Sequence, residues 1–143
     1  MLEFLRGLHN LLRWVIVLGG VAAVVLMARG TFARAAWTAR EGGVARLFTY
    51  GLHLQLLIGL ILYAITPLVA AGISAPLSER LLLIEHAVLM LFAVIAAQLG
   101  TSLARRAKED GVKFRRSLIG YSVAMLFIFW ATPWGKSLIP WLG

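Results

Sequence analysis

The chain has 143 residues, of which 61% are apolar and 14% charged, with a formal net charge of +8. A soluble domain of this size does not reach that apolar fraction, so the composition points to an integral membrane protein. Cysteine is absent, which excludes disulfides, thiolate metal sites, cysteine nucleophiles and thioether-linked haem.

In chain order, apolar runs cover 14–28, 47–77, 81–104 and 117–134. Each is long enough, with its flanks, to cross a hydrocarbon core of roughly 30 Å at 1.5 Å per residue. The expectation is an all-α fold: one domain of four transmembrane helices, at approximately 5–28, 46–68, 78–104 and 116–134, in an up-down-up-down bundle. The first run could be read as a secretory signal, but Arg13 interrupts it and it is taken as structure. Gly19, Gly20, Ala22 and Ala23 in the first helix, and Gly120 with Ala124 in the fourth, are small residues that allow close helix approach. Ser78 followed by Glu79 suits a helix start, and Pro67 and Pro133 suit helix ends.

The positive charge is a topology signal and excludes nothing by itself. Four arginines (29, 34, 40 and 46) lie in the first connection and six basic residues (105, 106, 108, 113, 115 and 116) in the third, ten of the fourteen in the chain. By the positive-inside rule both connections face the cytoplasm of a bacterial inner membrane and both termini lie outside. The basic groups then meet anionic lipid headgroups, and nucleic acid is not an expected partner. Trp130, Trp134 and Trp141 suit an interfacial belt near the outer end of the fourth helix.

Polar side chains at membrane depth are costly, so each needs a partner or a task. They are His9, Asn10, Arg13, His53, Gln55, Glu85, His86 and Gln98. Helices 1 and 3 run the same way in such a bundle. Counting from the flanking charges, His9 lies about 5 Å below Arg6 and His86 about 9 Å below Arg80, in the same half of the bilayer. On helices that face each other diagonally, two such histidines can fill the axial positions of one haem iron. Going inward at helical spacing one meets Arg13, Ile16 and Gly20 from His9, and Met90, Ala93 and Ala97 from His86, and the small residues among them would leave room for the macrocycle. The bland reading keeps His9 at the interface and His86 hydrogen-bonded within the bundle.

Arg13 and Glu85 come out at similar depth, which predicts an ion pair between helices 1 and 3; the other partner for Arg13 is a haem propionate. Arg6, Arg80 and Lys136 are then left for propionates. His53 falls about 10 Å from Arg46, in the opposite half from the other two histidines. It is a candidate for a second haem, a quinone site or a core residue bonded to a backbone carbonyl. Gln55 points about 200° away from it.

The segments "LHNLLRW" (8–14), "HLQLLIGLILY" (53–63), "EHAVLM" (85–90) and "PW" (133–134) together resemble a family of small bacterial four-helix membrane proteins labelled cytochrome b-like. The resemblance covers nearly the whole chain in order and spacing. It implies non-covalent haem b bound by histidines and membrane electron transfer, without fixing a reaction. Di-haem cytochromes b, and b561-type proteins including superoxide oxidase, use two pairs of histidines; three histidines cannot build a second such pair.

Three functions follow as expectations. The first is a haem b electron-transfer protein, an oxidoreductase or an electron-transfer component, that exchanges electrons near the outer face with quinol, a small oxidant or a redox partner. The second is a cofactor-free structural subunit of a membrane complex. The third is a transporter or metal-handling protein using His9, Met90 and His86. No phosphate loop, zinc motif or hydrolase nucleophile motif occurs.

Overall fold

The computed structural model describes residues 1–65, 77–132 and 134, and of residues 78–82 the backbone alone. The described residues are all-helical, with four helices and no strand: α1 (Leu2–Phe32), α2 (Ala39–Ile65), α3 (Leu77–Arg105) and α4 (Asp110–Ala131). Pro67, Pro133, Lys136, Trp141 and the side chains of Ser78, Glu79 and Arg80 lie outside the described set. Among the described residues three helices are long and apolar enough to cross a membrane: α1, α2 and the 83–105 part of α3. The fourth expected span is weaker because α4 opens with Asp110, Lys113, Arg115 and Arg116, leaving a shorter apolar remainder.

Local sequence explains where the helices begin and turn. Thr38 and Glu41 form a capping box at the start of α2: the Glu41 carboxylate accepts from the Thr38 N–H at 3.0 Å, and the Thr38 hydroxyl accepts from the Arg40 N–H at 3.2 Å. The Thr38 hydroxyl also donates to Glu41. These bonds hold the Glu41 carboxyl below its ordinary range, with the Thr38 hydroxyl as the largest cause. The α1 end is closed by N–H groups of Ala33 and Ala35 bonding back to the carbonyls of Arg29 and Gly30, with Arg34 in the left-handed region at φ 50°.

The helices pack in a ring, α1 on α2, α2 on α3, α3 on α4 and α4 on α1, which sets α1 diagonally across from α3. Contacts are close where side chains vanish. A Cβ on Gly120 would stand 2.6 Å from the Gly100 Cα, so α3 and α4 meet backbone to backbone. A Cβ on Gly20 would stand 2.2 Å from the Met125 sulfur and 2.8 Å from the Phe48 ring, and that glycine admits both into the centre. Ala23, Met27, Ala93, Ala97, Tyr121 and Ala124 complete this core. Gly19 has nothing within 4 Å and Ala22 is exposed, so those two small residues face outward and take no part in packing.

Candidate functional site

The diagonal placement of α1 and α3 brings His9 and His86 together. Their ring centroids are 6.3 Å apart and the planes are inclined at 66°. Two imidazoles that face one metal ion at about 2 Å each have centres about 6 Å apart, and rotation of a ring about its metal–nitrogen bond leaves ligation intact. The His86 Nδ1 lies 3.0 Å from the Ala131 carbonyl oxygen. A carbonyl only accepts, so Nδ1 carries the proton and Nε2 of the neutral ring keeps its lone pair. The acceptor is one of the carbonyls at the end of α4 that its own helix leaves free.

On α1, the His9 main-chain oxygen accepts from Gln55 Nε2 at 2.9 Å, and a Cβ on Gly59 would press to 3.3 Å from the His9 ring. Glycine at 59 therefore lets α2 lie against the imidazole edge. The His9 Nδ1 is buried without a hydrogen-bond partner among the described residues. Gln55 is itself 7% exposed, and since its Nε2 must face the His9 carbonyl, its Oε1 is left buried and unpartnered.

Beside the two histidines is a cavity of about 560 Å³, bordered by His9, Arg13, Gln55, Gly59, His86 and Met90. That size is within the range of about 300–1,000 Å³ usual for cofactor sites. Its walls are apolar for the most part, with Leu52, Leu56 and Val94 nearest the bundle centre. Arg13, at 8% exposure, lines it with Nε and one terminal nitrogen lacking any acceptor, and its guanidinium sits 5.4 Å from the centre of the adjacent Trp14 ring. A guanidinium stays charged in any setting, and among the described residues no carboxylate pairs with it.

The expected Arg13–Glu85 ion pair is not formed. Among the described residues the ion pairs are Arg6–Glu3 and Lys113–Asp110. Glu85 is exposed and accepts from Trp130 Nε1 at 3.0 Å. Similar depth is not sufficient: neighbouring residues on a helix point about 100° apart, and with His86 facing the core Glu85 turns toward α4. Arg13 is thereby left to the cavity. Met90 lines the site as expected, whereas Ile16, Gly20, Ala93 and Ala97 pack into the core, so the open volume lies level with the histidines. Arg6 also lines the cavity and is held by Glu3 at 3.0 Å.

His53 stays apart from this site. Its Nδ1 bonds the Thr49 carbonyl at 2.7 Å, as one reading expected, but the ring is exposed on the outer side of α2 rather than in the core. Gln55, one of the polar residues noted in the sequence, owes its position to that same 200° offset: with His53 outward, Gln55 is inward.

A second polar layer was not legible in the sequence. The Thr49 hydroxyl donates to the Ala45 carbonyl at 2.9 Å, Thr101 lies 2.7 Å from Thr49, and Tyr121 lies 2.8 Å from Thr101. The terminal carbonyl fixes the direction: Tyr121 donates to Thr101, Thr101 to Thr49 and Thr49 to Ala45. Isolated threonines in apolar runs give no signal of this, because they back-bond to their own helix equally well.

Among the described residues no three of His, Cys, Asp and Glu converge. Two imidazoles do not complete a tetrahedral zinc site, and they suffice for an iron whose other ligands come from a macrocycle. Comparison of the chain with protein families, with curated proteins and with solved structures finds no match.

Proposed function

We propose that this chain is a haem b electron-transfer protein of the bacterial inner membrane. In this reading the four helices run up-down-up-down, the arginine-rich connections lie inside, and both termini and the His9/His86 end lie outside. The carrying observation is the histidine pair on diagonal helices at 6.3 Å, beside a cavity that an unpaired buried arginine enters. The donor chemistry fits: the His9 and His86 imidazoles would hold the iron and Arg13 would hold a propionate carboxylate.

A haem held there would supply one-electron chemistry. The chain does the rest. Ala131 orients the His86 ring and raises its basicity through the Nδ1 hydrogen bond, as the outer partners of metal-bound histidines do. Gln55 anchors the main chain at His9 from α2. Leu52, Leu56, Met90 and Val94 keep the site dry and of low dielectric. Arg13 holds a carboxylate and offsets its charge. Exchange near the outer face with quinol, a small oxidant or a redox protein is the activity this arrangement serves.

Optical spectra of the purified full chain, oxidised and then dithionite-reduced, test the reading. Sharp reduced α and β bands with weak carbon monoxide binding are expected, since both histidines would hold the iron and leave no ligand position free. His9→Ala and His86→Ala each convert the spectrum to a high-spin, carbon-monoxide-binding form or abolish it, and His53→Ala leaves it intact. A colourless protein after expression with ample haem overturns the proposal in favour of a cofactor-free subunit.

A further inference from the structure

Away from the cavity, the Thr49–Thr101 hydrogen bond fixes the relative height and rotation of α2 and α3. Stepping from it at about 100° and 1.5 Å per residue places four polar residues on the outward side of the α2/α3 seam. His53 is one turn beyond Thr49 and Gln98 is just under one turn before Thr101, at nearly equal height, about 6 and 4.5 Å from the bond on the same side. Tyr50 and Ser102, the immediate neighbours of the two threonines, turn to that side as well. His53, Gln98 and Tyr50 are exposed, Tyr50 to 62%, and Ser102 is half-buried.

These groups stand among exposed apolar side chains, Leu54, Leu57, Ile95 and Leu99, on helices long and apolar enough to span a membrane. Water does not reach such a surface, so its hydrogen-bonding capacity is costly unless a partner meets it. The capacity is specific. His53 spends its Nδ1–H on the Thr49 carbonyl, leaving a bare Nε2 acceptor directed away from its own helix. Gln98 Nε2 donates to the Ser102 hydroxyl at 2.9 Å, leaving Oε1 as a second bare acceptor. The Tyr50 phenol is a donor, and the four side chains carry no fixed charge.

We infer that this side of the α2/α3 seam binds a quinol head group from within the bilayer. The ligand must be lipid-soluble, because the surface is embedded in apolar side chains. It must carry hydroxyl donors for His53 Nε2 and Gln98 Oε1, and an oxygen that can accept from Tyr50. It must also be uncharged at this height: no cation is among the four, and the exposed Arg46 and Arg105 on the same side of the seam stand about 10 Å further along, where a phospholipid headgroup would be met instead. A dihydroxy-aromatic ring on an apolar tail meets all of these conditions, with one hydroxyl donating to Nε2 of His53. The assignment rests on the seam residues themselves and stands whether or not the His9/His86 cavity holds haem.

The test uses the full chain in phospholipid nanodiscs with a short-chain azidoquinone reduced to the quinol. Photolysis is expected to label the segments around 50–53 or 98–102, and excess unlabelled quinol to suppress that labelling. His53→Leu lowers the labelling at least tenfold with helix content and melting unchanged, and His53→Gln, which restores an acceptor near the Nε2 position, recovers part of it. Gln98→Leu gives an intermediate loss and guards against a folding defect in the first variant. Labelling that is insensitive to His53→Leu, or is displaced by anionic phospholipid rather than quinol, overturns the inference. So does efficient disulfide formation between two copies of Tyr50→Cys, which would make the seam a self-association face. A colourless protein that is still labelled at the seam defeats the haem proposal alone.

Discussion

Two polar layers cross the same bundle and differ in one respect. In the Thr49–Thr101–Tyr121 layer every hydroxyl passes its proton to the next acceptor and the sequence ends on a backbone carbonyl. In the His9–His86 layer, Gln55 Oε1, His9 Nδ1 and two nitrogens of Arg13 end on nothing within the described chain. A closed set of hydrogen bonds positions helices; an open set of the same kinds of group, arranged around a cavity, is what a binding site looks like before its ligand is counted. The first layer should behave identically with and without a ligand, and the second should not.

The largest expected effect breaks the closed layer. Thr101→Val removes the central hydroxyl and leaves Tyr121 without an acceptor and Thr49 without a donor, at a cost of about 2 kcal/mol. Reversible unfolding in mixed micelles should show the same loss for haem-loaded and haem-free protein; a loss present in only one of them would mean that the layers are coupled.

Arg13→Met probes the open layer, and here the sign should reverse. Without a ligand the substitution removes an uncompensated buried charge and is expected to stabilise by about 1 kcal/mol. With haem bound it removes the carboxylate partner and should weaken haem retention about tenfold, measured by transfer to apomyoglobin. Equal destabilisation in both forms would return Arg13 to a purely structural role.

Gln55→Leu should cost about 1 kcal/mol through loss of the bond to the His9 carbonyl. It should also broaden the reduced α band, because the main chain that carries His9 is then less well held. An unchanged spectrum with unchanged stability would remove Gln55 from the site.

The smallest effect lies outside both layers, at the capping box. Thr38→Val should cost about 0.5–1 kcal/mol at neutral pH. The folded-state pKa of Glu41 is depressed, so its contribution is present above its unfolded value and is lost as pH falls through the lower folded value. In an acid titration of stability, the difference between the wild-type chain and Thr38→Val should therefore shrink below the ordinary carboxylate range and stay constant above it.

The helix count and approximate boundaries could be read from the apolar runs because membrane-length segments leave little freedom in where a helix begins and ends. Depth could be counted too, and it paired His9 with His86 correctly in space. Rotation could not. Arg13 and Glu85 share a depth but not a face: with His86 toward the core, Glu85 turns to Trp130 of α4. The outward setting of His53 and inward setting of Gln55 were half legible, since their offset was known but not its origin. The hydroxyl layer was invisible because it depends on which threonines of three helices share one height, and that follows from the tertiary register.

The contact between Gly100 and Gly120 bears on the order in which the molecule becomes competent during synthesis. The two helices it joins are separated by only residues 106–109, so α4 needs little search to find α3 once it leaves the ribosome. Yet the carbonyl that orients His86 belongs to Ala131, at the far end of that same α4. Both histidines are made long before the group that sets the tautomer of one of them. On the proposed function, haem capture would therefore wait for the last described helix, and a chain stalled before Ala131 carries both histidines without the carbonyl that aims one of them.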